Sequence, residues 1–319
     1  MKKVILLSWL AVLATFSTTL YAVPIIHDTR YNVELVTSIP GSALHAMDFD
    51  SSGRLYISSY NDGNVYRVSS PTSGLQTASL FSSGYGFANG LTITDDDQLF
   101  VSNGLGNVYR IFNDGTSALF SSGYSYPTEI ASYNNDLFIA NSGDGTISRI
   151  DATTGASTPF LSSFSAPNGP YGISISSDGT LYFTDHLTGT AYSSNQSGTV
   201  DIIGSFSAFG VGYTGSYNSE VFISDILTQE ISRVDAQGNI SLFASGFAGN
   251  SNPPFNGPHD IVFDGQGAIY ISDADSVWRV TAVPEPSTLL LLITGLVGLG
   301  LLKTNRCIGH DVNWQRRNR

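Results

Sequence analysis

PYGISISSDGTLYFTD, Pro170 to Asp185, reads as two short strands back to back. The first alternates in character up to Ile175, SSDG (176–179) supplies a tight turn, and LYFTD (181–185) resumes as an apolar strand. That second strand recurs along the chain as LYISS (55–59), LFVSN (99–103), LFIAN (137–141), LYFTD itself, VFISD (221–225) and IYISD (269–273). The successive spacings of 44, 38, 44, 40 and 48 residues match the roughly 40 to 50 residues of a four-stranded propeller blade.

The flanks of each copy fit the same unit. Alternating strands precede it, as in MDFD (47–50), LTIT (91–94), ISIS (173–176) and IVFD (261–264). A hairpin leads into a third strand: NVYRV (64–68), NVYRI (107–111), TISRI (146–150), TAYSS (190–194), EISRV (230–234) and SVWRV (276–280). An outer fourth strand is visible in TASLFSSG (77–84), SALFSSG (117–123) and ISLFASG (240–246). The sixth copy lacks one, and YNVELVTSIPG (31–41) is the segment left to supply it. The expectation is an all-β, six-bladed β-propeller over 23–282, closed by its N-terminal strand, so that no sheet edge stays open.

Composition agrees. Of 319 residues, 33 are Gly and 34 are Tyr or Phe, a mixture suited to short strands and tight turns rather than long helices. Between Val23 and Ala282 there are seven arginines, no lysine and 24 acidic residues, a net charge of about −17. Such a surface disfavours nucleic acid and anionic membranes as partners. The one cysteine, Cys307, leaves the body of the chain without a disulfide.

The two ends read as addresses. Residues 1–22 carry Lys2 and Lys3, an apolar stretch from Val4 to about Phe16, and small or polar residues up to Ala22, the layout of a signal peptide cut after Ala22; an uncleaved anchor is the alternative. At 283–306, VPEPST is followed by the apolar run Leu289 to Leu302 and then Lys303 and Arg306. Counted from Ser287, that run spans about 24 Å as a helix, short of the roughly 30 Å hydrocarbon core, so a transmembrane helix here would cross only by thinning the bilayer. The basic flank would face the cytoplasm. Residues 307–319 form a polar, basic tail.

This end resembles the PEP-CTERM sorting signal of exported proteins of Gram-negative bacteria. The likeness rests on Pro284, Glu285 and Pro286, then Ser287 and Thr288, the Leu/Gly-rich run and the basic stop, about 24 residues in order. It implies recognition by exosortase after export and signal-peptidase cleavage, membrane attachment until processing, delivery to the cell envelope or exterior, and a setting in which exopolysaccharide is made. Residues 307–319 extend beyond the usual end of such tails.

The six units resemble NHL-type repeats and the related gluconolactonase (SMP-30-like) and streptogramin lyase propellers, most closely over Pro170 to Asp185. In those enzymes a metal sits at the mouth of the central channel. The gluconolactonases take a Glu, an Asn and an Asp from particular blades, whereas Glu129, Asn89 and Asp260 stand on blades three, two and six here.

Repeat columns separate scaffold from site. Arg67, Arg110, Arg149, Arg233 and Arg279, with Ser193 in blade four, form a column expected to hold blades together through carbonyls, carboxylates or both. Ser59, Asn103, Asn141, Asp185, Asp225 and Asp273 end the second strands and are expected to cap the following turns. The entry to the innermost strand varies: His45, Asn89, Thr128, Tyr171, Val211 and His259, with Glu129 and Asp260 one position later. Variation inside a repeated position is where a grafted function shows. The candidate ligand-binding residues are therefore His45, Asn89, Glu129, Tyr171, His259 and Asp260, at the channel mouth on the face that carries His186 and Asp275. Blades one and six adjoin after closure, so His45 and His259 can meet, and with Glu129 and Asp260 they are the donors a divalent transition metal would use.

No G-x-S-x-G, H-E-x-x-H, phosphate loop or C-x-x-C is present. The leading expectation is an exported, matrix-associated binding propeller without catalysis, exopolysaccharide or another neutral ligand being its partner. The alternative is a metal-dependent lactonase-like or lyase-like enzyme with its site at the channel mouth.

Overall fold

A computed structural model describes residues 22–207, 211–247 and 257–283, and for 211–214 the backbone alone. The expected signal segment and sorting tail lie outside these residues, and none of the described residues is helical.

Six four-stranded antiparallel sheets follow one another along the chain. Blade one runs outward through Leu44–Phe49, Leu55–Ser59, Asn64–Val68 and Ser79–Ser83. Blades two to five repeat this order from innermost strands Ala88–Ile93, Pro127–Tyr133, Pro170–Ile175 and Val211–Tyr217. Blade six has Pro258–Phe263, Ile269–Asp273 and Ser276–Ala282, and its outer strand is Tyr31–Ser38 from the N-terminus, the closure expected from the sequence. A two-residue strand, Ile25–Ile26, adds to the edge of blade five opposite Ala244 and Ser245, which the sequence did not suggest.

The second strands are apolar runs because each lies between two neighbouring blades and is covered on both faces. All five residues of LYISS and of LFVSN are buried. Tyr56 of blade one packs with Leu91, Val101 and Ile111 of blade two, and Val36 of the closing strand packs with Leu55 and Ile57 of blade one and Tyr270 and Val277 of blade six. Each column arginine stands opposite an aromatic of the second strand, Arg67 across from Tyr56, Arg149 from Phe138 and Arg279 from Tyr270. Their guanidinium groups reach carboxylates, Arg279 to Glu34 at 2.9 Å, Arg233 to Asp28 at 3.3 Å and Arg149 to Asp136, or lie over rings, as Arg67 does over Phe81. The column is scaffold.

Of the second-strand ends, Asp225 and Asp185 cap the following turns as expected, whereas the Ser59 hydroxyl is buried without a hydrogen bond. Asp225 Oδ1 accepts the Leu227 and Thr228 amides at 3.0 Å, and Asp185 Oδ1 accepts those of Leu187 and Thr188 at 3.1 Å.

Candidate functional site

Every innermost strand carries a bulge near its start, two residues standing opposite one of the second strand. The doublets are His45–Ala46, Asn89–Gly90, Thr128–Glu129, Tyr171–Gly172, Gly212–Tyr213 and His259–Asp260. In blade five Val211 pairs with Asp225 as Leu44 pairs with Ser59, so the entry residue there is Gly212 and not Val211. The bulge explains why the candidate residues cluster: it interrupts the alternation and turns two successive side chains toward the channel.

The single residue opposite each doublet is Ser58, Ser102, Ala140, Thr184, Ser224 or Ser272, a hydroxyl in five of six blades. This column fixes the bulges. Ser58 Oγ accepts the Ala46 amide at 3.0 Å and donates to the Asn89 carbonyl of the next blade at 2.5 Å. Ser272 Oγ accepts the Asp260 amide at 2.9 Å and donates to the His45 carbonyl at 2.7 Å. Ser224 donates to the His259 carbonyl at 2.9 Å. Blade three has Ala140 instead, and there Thr128 itself donates across to the Tyr171 carbonyl at 2.7 Å. Gly90 is required where it stands, since a Cβ would lie 2.6 Å from the Ile130 nitrogen and 2.7 Å from the Glu129 Cα.

The first residues of the doublets face the mouth. His45 and His259 meet, ring centroids 4.8 Å apart, and are 2% and 1% exposed. Burial, and for His45 the adjacent His259, holds both imidazoles below their usual range, His259 at about 4. A chain of rings continues outward: Tyr60 stacks on His45 at 5.3 Å, Phe87 stacks on Tyr60 at 4.9 Å, and the Tyr60 and Tyr126 hydroxyls are 3.0 Å apart. Tyr171 stacks on His186 at 4.8 Å. Gly104 ties these rings together, because a Cβ there would sit 3.3 Å from the Tyr126 ring and 3.5 Å from both Phe87 and the Asn89 amide. Asn89 Nδ2 donates to the Pro127 carbonyl at 2.8 Å, while its Oδ1 is buried without a hydrogen bond. Phe87 and Tyr126 are 41% and 42% exposed, and Tyr126 adopts φ of +46°, costly for a bulky residue.

The second residues face the other way. Glu129 and Asp260, with Asp48 two positions beyond the blade-one bulge, line a cavity of about 380 Å³ that runs through the channel to the turn following Phe263. This is the end opposite the histidines. Asp48 accepts the Phe49 amide at 2.8 Å and the Ile93 amide at 2.7 Å, and Asp260 accepts the Ile261 amide at 2.7 Å and the Met47 amide at 2.6 Å. Burial outweighs these bonds and raises Asp48 to about 6 and Asp260 to about 7. Burial, and next the Asp260 carboxylate, raises Glu129 well above the usual range.

The six candidate residues thus divide between two ends of one channel. His45, Asn89, Tyr171 and His259 belong to the mouth, Glu129 and Asp260 to the cavity. Among the described residues no group of three or more His, Cys, Asp or Glu is placed to hold a metal ion, so these four donors do not assemble into one ligand set as they stand. Three mouth rings, Tyr60, Phe87 and Tyr126, and the cavity's Asp48 were not singled out by sequence. Their signal was available: Phe87 and Tyr126 precede the doublets of blades two and three by two positions, where blades one, four and six have Ala43, Gly169 and Gly257.

No protein-family model matches the chain, and neither does any curated protein. Solved structures do match. A catalytically inactive His-to-Ala variant of virginiamycin B lyase from Staphylococcus aureus, with quinupristin, is 14% identical, covering 79% of this chain and all of its own at a TM-score of 0.58. An auxiliary nutrient binding protein from Bacteroides ovatus is 13% identical, covering 80% of this chain and 78% of its own at 0.61. A chain of a nidogen/laminin complex is 15% identical, covering 69% and 84% at 0.57. These identities carry the propeller fold and no activity, since proteins sharing it are a lyase, a nutrient binder and part of a nidogen/laminin complex.

Proposed function

We propose that the chain is an exported, non-catalytic binding propeller whose mouth holds a neutral, ring-bearing ligand such as the sugar units of an exopolysaccharide. The observation that carries this reading is the exposed aromatic surface of Phe87, Tyr60 and Tyr126, with Tyr126 held at an unfavourable φ. Half-exposed rings beside hydrogen-bonding hydroxyls suit the apolar faces of sugars, and an exposed patch of this kind marks an interaction site. Titrating the full chain in mild detergent with cellohexaose and dextran oligomers tests it. Saturable binding that Tyr60→Ala and Phe87→Ala each weaken by roughly tenfold supports it, on the scale of one lost stacking contact; no binding by the unaltered chain rejects it.

The address follows from the ends: signal peptidase would remove residues 1–22 and exosortase would read Pro284, Glu285 and Pro286. Expression in an export host with and without exosortase should give an intact mass lacking the residues after the motif only where the enzyme is present. The full tail in both hosts would sink this part of the proposal.

A second reading, a metal-dependent lactonase-like or lyase-like enzyme, draws on the contact of His45 with His259. Elemental analysis of the purified chain beside His45→Ala and His259→Ala separates the two: a divalent metal lost in both variants favours the enzyme.

A further inference from the structure

We propose that the channel cavity at the end opposite the histidines binds a primary amine, entering ammonium-first toward Glu129. This inference is independent of the ligand assigned to the mouth.

Four carboxylates line one cavity, Asp264 at its turn end, where it accepts the Gln266 and Ala268 amides, and Asp48, Glu129 and Asp260 along the channel, and no Lys, Arg or His lines it among the described residues. Asp48 and Asp260 spend both oxygens on backbone amides. Glu129 differs. Its Oε1 accepts the Ile130 amide at 3.1 Å and the Leu91 amide also acts on the carboxyl group, yet Oε2 is buried without a hydrogen bond of normal geometry, in a residue only 3% exposed. A buried carboxylate oxygen left this way is costly unless something outside the protein satisfies it.

The chemistry of the partner follows from the surroundings. A bare metal ion needs several oxygens converging on one point, and no such group exists among the described residues. An ammonium group needs less: it donates to Glu129 Oε2 and to the second lone pairs of the neighbouring carboxylates, leaving their amide bonds in place. Beyond the carboxylates the walls mix apolar side chains, Ile93, Ile130, Ile173 and Ile175, with the hydroxyl residues Thr92, Ser132, Ser174 and Ser216, and Tyr217 and Phe263 stack 5.2 Å apart at the turn end. A charged head with an alkyl or aromatic body therefore meets carboxylates beside apolar side chains, in a volume typical of small-ligand sites.

The test is calorimetric titration of the full chain with 2-phenylethylamine, its neutral counterpart 2-phenylethanol, and Mg²⁺ and Ca²⁺. Expected are saturable binding of the amine, none of the alcohol, and a weakening of roughly tenfold or more in Glu129→Gln, the scale of one charge-assisted hydrogen bond. Glu129→Gln keeps the shape and removes a group that burial makes costly to ionise, so a melting temperature at or above that of the unaltered chain shows that the lost binding is not lost folding. Equal binding of amine and alcohol, amine binding unchanged in Glu129→Gln, or a divalent ion binding there without competition from the amine would each overturn the assignment.

Discussion

The two ends of the channel are built by one device and share no chemistry. At the mouth, His45 and His259 are packed ring to ring beneath Tyr60, and the polar groups of the site are neutral imidazoles and phenols. At the far end, Asp48, Glu129 and Asp260 crowd acid groups into one cavity. Both draw on the bulge doublets: His45 and His259 are first residues at the mouth, and Glu129 and Asp260 are second residues in the cavity. Blade six shows it most directly, since His259 and Asp260 are consecutive yet serve opposite ends. A repeat that bulges in every blade thus offers positions that can vary from blade to blade without disturbing the strands around them. Blade two declines the second with Gly90, because blade three's backbone approaches too closely for a side chain.

The comparison breaks first at Ser272, which holds both ends at once through the Asp260 amide and the His45 carbonyl. Ser272→Ala removes the hydroxyl's bonds to the Asp260 amide and the His45 carbonyl at a cost of about 1–3 kcal/mol, and each kcal/mol is about 2–4 °C of Tm for a domain of comparable size. Blade three tolerates Ala140 because Thr128 makes the cross-blade bond. His259→Thr added to Ser272→Ala should therefore recover part of the loss. Thermal melts of the three chains check this, and an unchanged Tm for Ser272→Ala would remove the hydroxyl ring from the account.

Much of this was legible in the sequence, for a physical reason. Blade strands are covered on both sides, so LYISS and its five relatives must stay apolar and stand out by repetition, and the unpaired third strand SVWRV demanded the partner found in Tyr31–Ser38. The candidate positions were legible as variation within a repeat. Their division was not, because a strand reading assumes strict alternation, and only the inserted bulge residue decides which end each side chain faces. The register of blade five was hidden by its short turn: Tyr217 pairs with Glu220, so that Gly212 and not Val211 is the entry. Asp48 escaped because a single acid in an alternating strand reads as a solvent-facing residue, whereas here it turns into the channel.

The finer contrast is in titration, where the two ends act with opposite sign. A carboxyl raised by burial keeps its proton in the folded state after the unfolded chain has released it. Its contribution is complete below the ordinary carboxylate value and is lost as pH rises through the folded value, about 6 for Asp48 and about 7 for Asp260. A buried imidazole does the reverse: its contribution is present above the ordinary histidine value of about 6.5 and is lost as pH falls through the folded value, about 4 for His259. Between pH 8 and about 6.5 the acids act alone, so Tm should rise on acidification; between about 6.5 and 4 the histidines oppose them and the rise should flatten. Glu129→Gln should shrink the upper limb, and His259→Phe should steepen the lower one by removing the opposing titration. Melts across this range decide it, and a Tm that falls steadily from pH 8 to 6.5 would mean that the cavity acids are not buried as charges sharing one space.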